Sequence, residues 1–366
     1  MSYAPLNYDA FVGGRIAEAR KAAGMTQAGL AEKLGFADRQ ILSNLEKGLR
    51  QATPDELLII TRILGKSLEY FTDPYLLTNE SVCFSWRVKK EKIGGEVPYQ
   101  EAGKKLIAAY MHFSDILGKS PNLILPQLVV KKDATYDMVM ELAEQLSKLW
   151  EMGDKPTERL EKVVWEKLGI ELLYVNAPDE VSGASFRNER FCAMLINKNQ
   201  SEGRRNFSIA HELFHILTWT TLHPDYVSPE EQEDVTAKSE KMANVFASSL
   251  LMPTETVVAL WKERPKSVDL GNWLEEQAKG MHVSPDALFW RLVSLRRLKR
   301  DDFPEGLNLP YSGSVQPFSQ KFIEMTSQVL DQGVVSVRKV LKLLDLNFEE
   351  LNQLLEANGL PSPYAI

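Results

Sequence analysis

The sequence predicts a mainly α chain with one small β-sheet, an α+β protein whose 366 residues divide into two or three domains. Three observations carry that expectation. Apolar residues recur at helical spacing from Arg15 to Phe71 and again beyond Tyr136. Strand-like alternation is confined to Val82–Val88 and to three runs between Ile170 and Asn197. The stretch Phe207–Leu217 then reads as a helix apolar almost all round, which marks a buried one.

Composition narrows the class. Hydrophobic residues make up 44% of the chain and charged residues 25%, as in soluble globular proteins. No apolar run approaches the roughly 20 residues that span a bilayer, so no membrane partner is expected. The N-terminus lacks a basic segment followed by an apolar one, which argues against a signal peptide. Cys83 and Cys192 lie far apart and match no metal or redox spacing, which favours a reducing, cytoplasmic setting. Cys192 reads as a small buried residue. A net charge of −7 argues against a generally basic nucleic-acid binder, so any DNA contact must come from a local surface.

Residues 1–75 read as a bundle of short helices. Ile16, Ala19 and Ala23 give the first helix its apolar stripe, and Gly24 ends it. Thr26 caps a second helix, Gln27–Leu34, with Leu30, Ala31 and Leu34 facing inward. After the turn Gly35-Phe36-Ala37, a third helix follows Asp38. It turns Ile41, Leu42 and Leu45 inward and Arg39, Gln40, Ser43 and Asn44 outward. Pro54 opens a fourth, whose Leu57, Leu58, Ile60, Ile63 and Leu64 complete the core.

Two short helices joined by a glycine-containing turn have helix-turn-helix geometry. In it, the second helix offers its N-terminal side chains to base edges of double-stranded DNA. Arg39 suits guanine and Gln40 suits adenine; Ser43, Asn44 and Gln27 complete the candidate DNA contacts. Arg15, Arg20, Lys47 and Arg50 are candidates for phosphate. This stretch resembles the Xre (Cro/CI repressor-like) DNA-binding domain. The resemblance rests on Met25-Thr26-Gln27, Leu30-Ala31-Glu32-Lys33-Leu34-Gly35 and Ser43-Asn44-Leu45-Glu46-Lys47-Gly48. Between Ala10 and Asp73, nine Lys/Arg stand against eight Asp/Glu, so binding to protein is the alternative to binding DNA.

Residues 76–130 read as a connector. Val82–Val88 is a strand or extended arm, Lys89–Gly95 a polar loop, and Pro98–Leu117 a helix in which His112 is structural. Pro126 breaks the irregular stretch that follows.

Residues 131–300 carry the chemistry. Helices are expected over Tyr136–Met152 and Leu160–Leu168, and strands over Ile170–Val175, Val181–Arg187 and Phe191–Asn197. Within Phe207–Leu217, His211 and His215 stand one turn apart on one face, with Glu212 beside them. Two imidazoles at i and i+4 can reach one zinc ion, and the carboxylate after the first can act as general base on water. Burying these groups in an apolar helix is costly unless a metal compensates them.

A hydrolytic zinc site needs a third protein ligand. Glu240 is the acid in the apolar middle of the next helix, which starts at Ser228-Pro229 and stops before Pro253. Asn244 lies one turn on, placed to orient a histidine ligand, and Ala243 and Ala247 allow close helix approach. His223 and Asp225 are competing ligands; His223 or Tyr226 would alternatively stabilise an oxyanion.

The arrangement His211-Glu212-x-x-His215, then Glu240-x-x-Ala243-Asn244-x-Phe246-Ala247 and Leu250-Leu251-Met252-Pro253, is similar to the ImmA/IrrE family of regulatory zinc metallopeptidases. Ser182-Gly183-Ala184-Ser185, Gly203-Arg204-Arg205-Asn206-Phe207 and Val283-Ser284-Pro285-Asp286-Ala287-Leu288-Phe289-Trp290-Arg291-Leu292 fit the same pattern. The resemblance implies a thermolysin-like (gluzincin-type) core carrying a site-limited endopeptidase. Family members cut a repressor-type partner of the Xre kind, releasing genes of mobile elements or of a stress response.

Residues 301–366 read as a linker and three short amphipathic helices, Phe318–Leu330, Val335–Leu344 and Phe348–Ala357, with Ser336 and Asn347 at N-cap positions. Docking onto the peptidase and recognition of a partner are both open to them. The whole chain then reads as a zinc-dependent endopeptidase tethered to DNA or to a repressor, with manganese as the alternative metal and a homodimer as the alternative to a monomer. A helix-turn-helix regulator whose metal site is structural or ligand-sensing is the competing expectation.

Overall fold

The computed structural model describes residues 7–77, 83–88, 98–119, 123, 125–126, 128–131, 133–178, 181–188, 191–222, 232–304, 306–307 and 318–362. It divides into two compact units. The first comprises Met1–Val82, Glu96–Ser120 and Gln320–Ile366; the second comprises Cys83–Gly95 and Pro121–Ser319.

Side-chain caps set the helices of the first unit. Asn7 accepts from the Ala10 amide at the start of α1 (Tyr8–Ala22), so this helix begins well before Arg15. Thr26 caps α2 (Gln27–Lys33) and Asp38 caps α3 (Arg39–Glu46). Thr53 and Glu56 form a capping box on α4 (Pro54–Leu64), and Ser67 caps α5 (Leu68–Thr72). Ile16, Leu30, Leu42, Ile60 and Phe71 form the centre of this bundle. Leu58 is not part of it: at 48% exposure it lies on the solvent side of α4.

Helix α6 (Pro98–Ile116) presents Leu106, Ile107, Tyr110 and Phe113 as a buried face. Against it pack α15 (Gln320–Asp331) and α16 (Val337–Leu344), with α17 (Phe348–Ala357) on α15. Phe322 stacks on Phe113 at 5.9 Å between ring centroids. Docking of these helices onto the peptidase was one of the two sequence expectations. Within the first unit they cover the apolar face of the connector helix.

The second unit is built on a four-stranded sheet of order β1-β3-β4-β2. Strands β2 (Glu171–Val175) and β4 (Cys192–Asn197) are parallel; β3 (Val181–Arg187) lies antiparallel to β4. The fourth member, β1 (Cys83–Val88), runs antiparallel to β3 and comes from the segment read as connector. The sheet is buried on both faces along β2 and β4, which explains their unbroken apolar runs.

Helix α7 (Tyr136–Leu149) and α8 (Thr157–Lys162) precede β2, α8 widening into a π-helical turn over Val163–Lys167. After β4 come α9 (Glu202–Leu217), α10 (Trp219–Leu222), α11 (Gln232–Leu251), α12 (Thr254–Glu263), α13 (Leu270–Gly280) and α14 (Pro285–Ser294). Helix α9 lies against β3 and β4, and α11 packs between α9 and α7. The expected cap of α11 at Ser228-Pro229 lies outside the described residues. Gly203 lets the start of α9 touch the Val283–Ser284 backbone, a contact that any Cβ would block. Among the described residues, no single helix is long and apolar enough to cross a membrane.

Arg291 ties this unit together from within. Only 1% exposed, it donates to the Met252 carbonyl at 2.9 Å, Ser249 Oγ at 2.8 Å and Glu144 Oε1 at 2.7 Å. Burial pulls its guanidinium downward, and Glu144 works against that shift. The network joins α14 to α7 and to the end of α11. Replacement by Met should lower unfolding stability by about 3 kcal/mol, because Glu144 loses its cationic partner and keeps the bonds from Thr254. Urea denaturation checks this: Arg291→Met/Glu144→Met should recover most of the loss, and a double variant no better than the single one would refute the account.

Candidate metal centre

Helices α9 and α11 bring three donors together. His211 Nε2 lies 3.3 Å from Glu240 Oε2, and His215 Nε2 lies 3.2 Å from Glu240 Oε1. The two imidazole Nε2 atoms are 3.1 Å apart. Ligands of a tetrahedral zinc at about 2.0–2.1 Å sit about 3.3 Å from one another, so this spacing suits a divalent cation of that size. The His, His, carboxylate donor set suits it as well.

Orientation follows from the next shell of contacts. His211 Nδ1 lies 3.1 Å from Asn244 Oδ1, one turn beyond Glu240 on α11. The amide oxygen can accept the Nδ1 hydrogen, which would leave the Nε2 lone pair for a metal when one is bound; without one, Nε2 carries a proton toward Glu240. Burial opposes ionisation of Glu240. The imidazoles of His211 and His215 outweigh burial and hold its carboxyl well below the usual carboxylate range. His211 is fully buried, while the side chains of His215 and Glu240 are 12% and 35% exposed, so the cluster is open on one side.

Glu212 is 1% exposed and turned toward β3. Ser185 Oγ donates to its Oε2 at 2.5 Å and lies 3.2 Å from its backbone carbonyl. Gly183, two residues back on the same strand face, leaves room for the Glu212 side chain; a Cβ there would stand 3.3 Å from Glu212 Cγ. Arg187, two residues on, donates to the Ile216 carbonyl at 2.9 Å. One face of β3 is therefore matched to α9 by a glycine, a serine and an arginine in alternation. Gln200 links the same elements, donating to Ser182 Oγ at 3.3 Å and accepting from Ser208 Oγ at 3.3 Å.

A cavity of about 500 Å³ is lined by Ser182, Phe207, Ser208, Asn244 and Trp290 among others, and Asn244 is the residue it shares with the contacts of His211. Cys192 is buried, which pushes its thiol up to about 12 against the lowering effect of Arg187, as befits a packing residue. His223, Asp225 and Tyr226, the alternative ligands or oxyanion stabilisers, lie outside the described residues. The sequence places Ser185 within the Ser182-Gly183-Ala184-Ser185 motif and assigns it no role. Its signal was the run Gly183, Ser185, Arg187 alternating with the apolar Ala184 and Phe186.

In the first unit, Arg39 and Gln40 are exposed at the start of α3. Gln40 Nε2 donates to Asn44 Oδ1 at 3.0 Å, and Gln27 Nε2 donates to Glu46 Oε2 at 2.8 Å. Ser43, read as outward, is buried at 7% exposure. Three of the four residues read as phosphate contacts are committed to the fold. Arg20 pairs with Glu46 at 2.6 Å, Arg50 with Glu56 at 2.7 Å, and Arg15 donates to the Leu76 carbonyl at 2.5 Å. Lys47 stays exposed.

Comparison with known proteins matches residues 165–292 to the IrrE N-terminal-like domain of the Peptidase_M78 family and residues 16–71 to the helix-turn-helix family HTH_3. No curated protein matches the chain. Among solved structures, the apo form of the competence regulator ComR from Streptococcus vestibularis is similar at 11% identity over 97% of this chain and 100% of that one. Its TM-score of 0.17 carries no argument about fold or function. The chain thus carries an IrrE-like peptidase-family domain behind an Xre-like helix-turn-helix domain.

Proposed function

We propose that the second unit is a zinc-dependent endopeptidase that cuts a repressor-type partner protein, and that the first unit directs it to DNA. The convergence of His211, His215 and Glu240, beside a Glu212 held by Ser185, is the observation that carries this reading. These three residues would hold the metal, manganese being the alternative to zinc. Bound there, the metal would acidify the attacking water and polarise the scissile carbonyl. Glu212 takes the proton from that water and returns it to the leaving amine. Ser185 fixes the carboxylate for both transfers, and Asn244 fixes the ring of His211. The open side formed by His215 and Glu240 supports a reactive centre over a closed structural one, in which four protein ligands surround the ion.

Arg39 and Gln40 are the exposed pair best suited to base edges in the major groove. With Arg15, Arg20 and Arg50 engaged within the fold, backbone contacts fall to residues such as Lys47 and to α-helix N-termini. Release of genes follows from this reading once the partner repressor is cut.

Three outcomes test the assignment. Glu212→Gln should keep the metal, measured by elemental analysis, yet slow proteolysis by about 10²–10⁴-fold; mapping new protein N-termini in cells with wild type against this variant would reveal the substrate. Equal fragment patterns from both chains would refute the peptidase. Asn244→Ala should weaken zinc affinity by about 10–100-fold in a competition titration with a chelator, and an unchanged affinity would remove it from the site. Arg39→Ala should cost about 1–3 kcal/mol at one base position in selected operator DNA, whereas Lys47→Ala should weaken all sequences alike and lower the salt slope by about 1.

A further inference from the structure

The sheet of the second unit ends on β1, which pairs with the strand that faces α9. Strand β3 is the one pressed against α9, with Ser185 bonded to Glu212 and Gly183 beside it. Its other neighbour in the sheet, β4, leaves one edge of β3 open to pairing, and β1 takes that edge. An extended peptide that adds to a sheet by backbone hydrogen bonds would need the same edge. The register puts Ser85 of β1 directly opposite Ser185, so the backbone of β1 passes level with the residue that holds Glu212.

Two features make β1 a removable strand. Among the described residues it is an edge strand bonded on one side, and its register with β3 breaks between Trp86 and Val88, where a bulge or irregularity interrupts the ladder. It is also flanked in the chain by two segments of the first unit, Met1–Val82 and Glu96–Ser120.

We propose that β1 is a built-in occupant of the peptide-binding edge, keeping the strand position beside Glu212 filled until it is stripped from β3. The inference rests on the peptidase reading for its meaning but not for its test. A chain whose edge is free only part of the time binds an added strand more weakly in proportion to that fraction. Release of β1 by an event in the first unit, or its replacement by an extended segment of the partner protein, would then open the site.

The test uses the full-length, zinc-loaded chain and a fluorescein-labelled peptide with the sequence of residues 81–90, followed by anisotropy under reducing conditions. Adjacent antiparallel pairs alternate between bonded and non-bonded, so Phe84→Pro/Ser85→Pro removes a ladder donor whichever phase the pair adopts. This variant should bind the peptide at least about ten-fold more tightly than wild type. Phe84→Gly/Trp86→Gly, which lowers strand propensity without removing an amide, should shift affinity in the same direction.

Equal affinities across all three chains, or no binding by a variant that keeps its zinc, would overturn the proposal. Loss of zinc from both variants would overturn it too, by showing β1 to be a structural strand. Hydrolysis of the peptide, read by mass spectrometry, bears separately on the peptidase. Tighter binding with no cutting in any chain would refute the enzyme and keep the occupied edge. Proteolysis by wild type with no gain in affinity from either variant would do the reverse.

Discussion

The second unit depends on burying charge between two helices that approach closely. His211 and Glu212 are almost entirely enclosed, amid Ile209, Ala210, Leu213 and Phe214 of α9 and Ala243, Phe246 and Ala247 of α11. A carboxylate or an imidazole in such surroundings is stable only with partners of matching chemistry. Each polar group therefore has a counterpart on a different element. Glu212 has Ser185 on β3, while His211 has Asn244 and Glu240 on α11. The alanines on α11 are what let Glu240 and Asn244 reach α9 at these distances. A larger side chain at Ala243 or Ala247 would separate the helices before it touched any ligand.

Much of that arrangement was legible in the sequence, because it is written in helical periods. His211 and His215 share a face of one helix by spacing alone, and Glu240 with Asn244 follows the same rule on the next. Caps were legible too, as at Thr26, Ser336 and Asn347, since a side chain and an amide two or three residues away settle them locally. Contacts across long sequence separations were not. The bond from Ser185 to Glu212 depends on the register of a strand against a helix, and Arg291 with Glu144 joins residues 147 positions apart. Alternation can mark the face of a strand, but neither pairing can be found from a helical or strand period alone.

Charge sign misled in the first unit for a related reason. Arg20 and Arg50 stand near a helix-turn-helix surface in sequence, where cations usually meet phosphate. Their bidentate partners, Glu46 and Glu56, are equally visible in the sequence, but nothing local says which arginine finds which carboxylate. Glu46 in particular receives both Arg20 and Gln27, so it links α1, α2 and α3 at one point. A planar guanidinium matched to a carboxylate by two bonds is a strong internal tie, and it withdraws that cation from the external field. The same constraint explains why the connector helix was not assigned its neighbours. The apolar face of α6 is plain in sequence, yet the helices that cover it come from the far end of the chain.

Strand β3 carries two demands that do not conflict, and the geometry of a pleated strand is the reason. Its side chains alternate above and below the sheet, and Gly183, Ser185 and Arg187 take the face toward α9. Its amides and carbonyls lie in the plane of the sheet, at right angles to those side chains, and point toward β4 on one side and β1 on the other. A change of partner along the edge that β1 occupies would therefore leave the contacts to α9 intact. The same strand can hold Glu212 fixed and exchange one neighbour for another, which a helix packed by its side chains could not do.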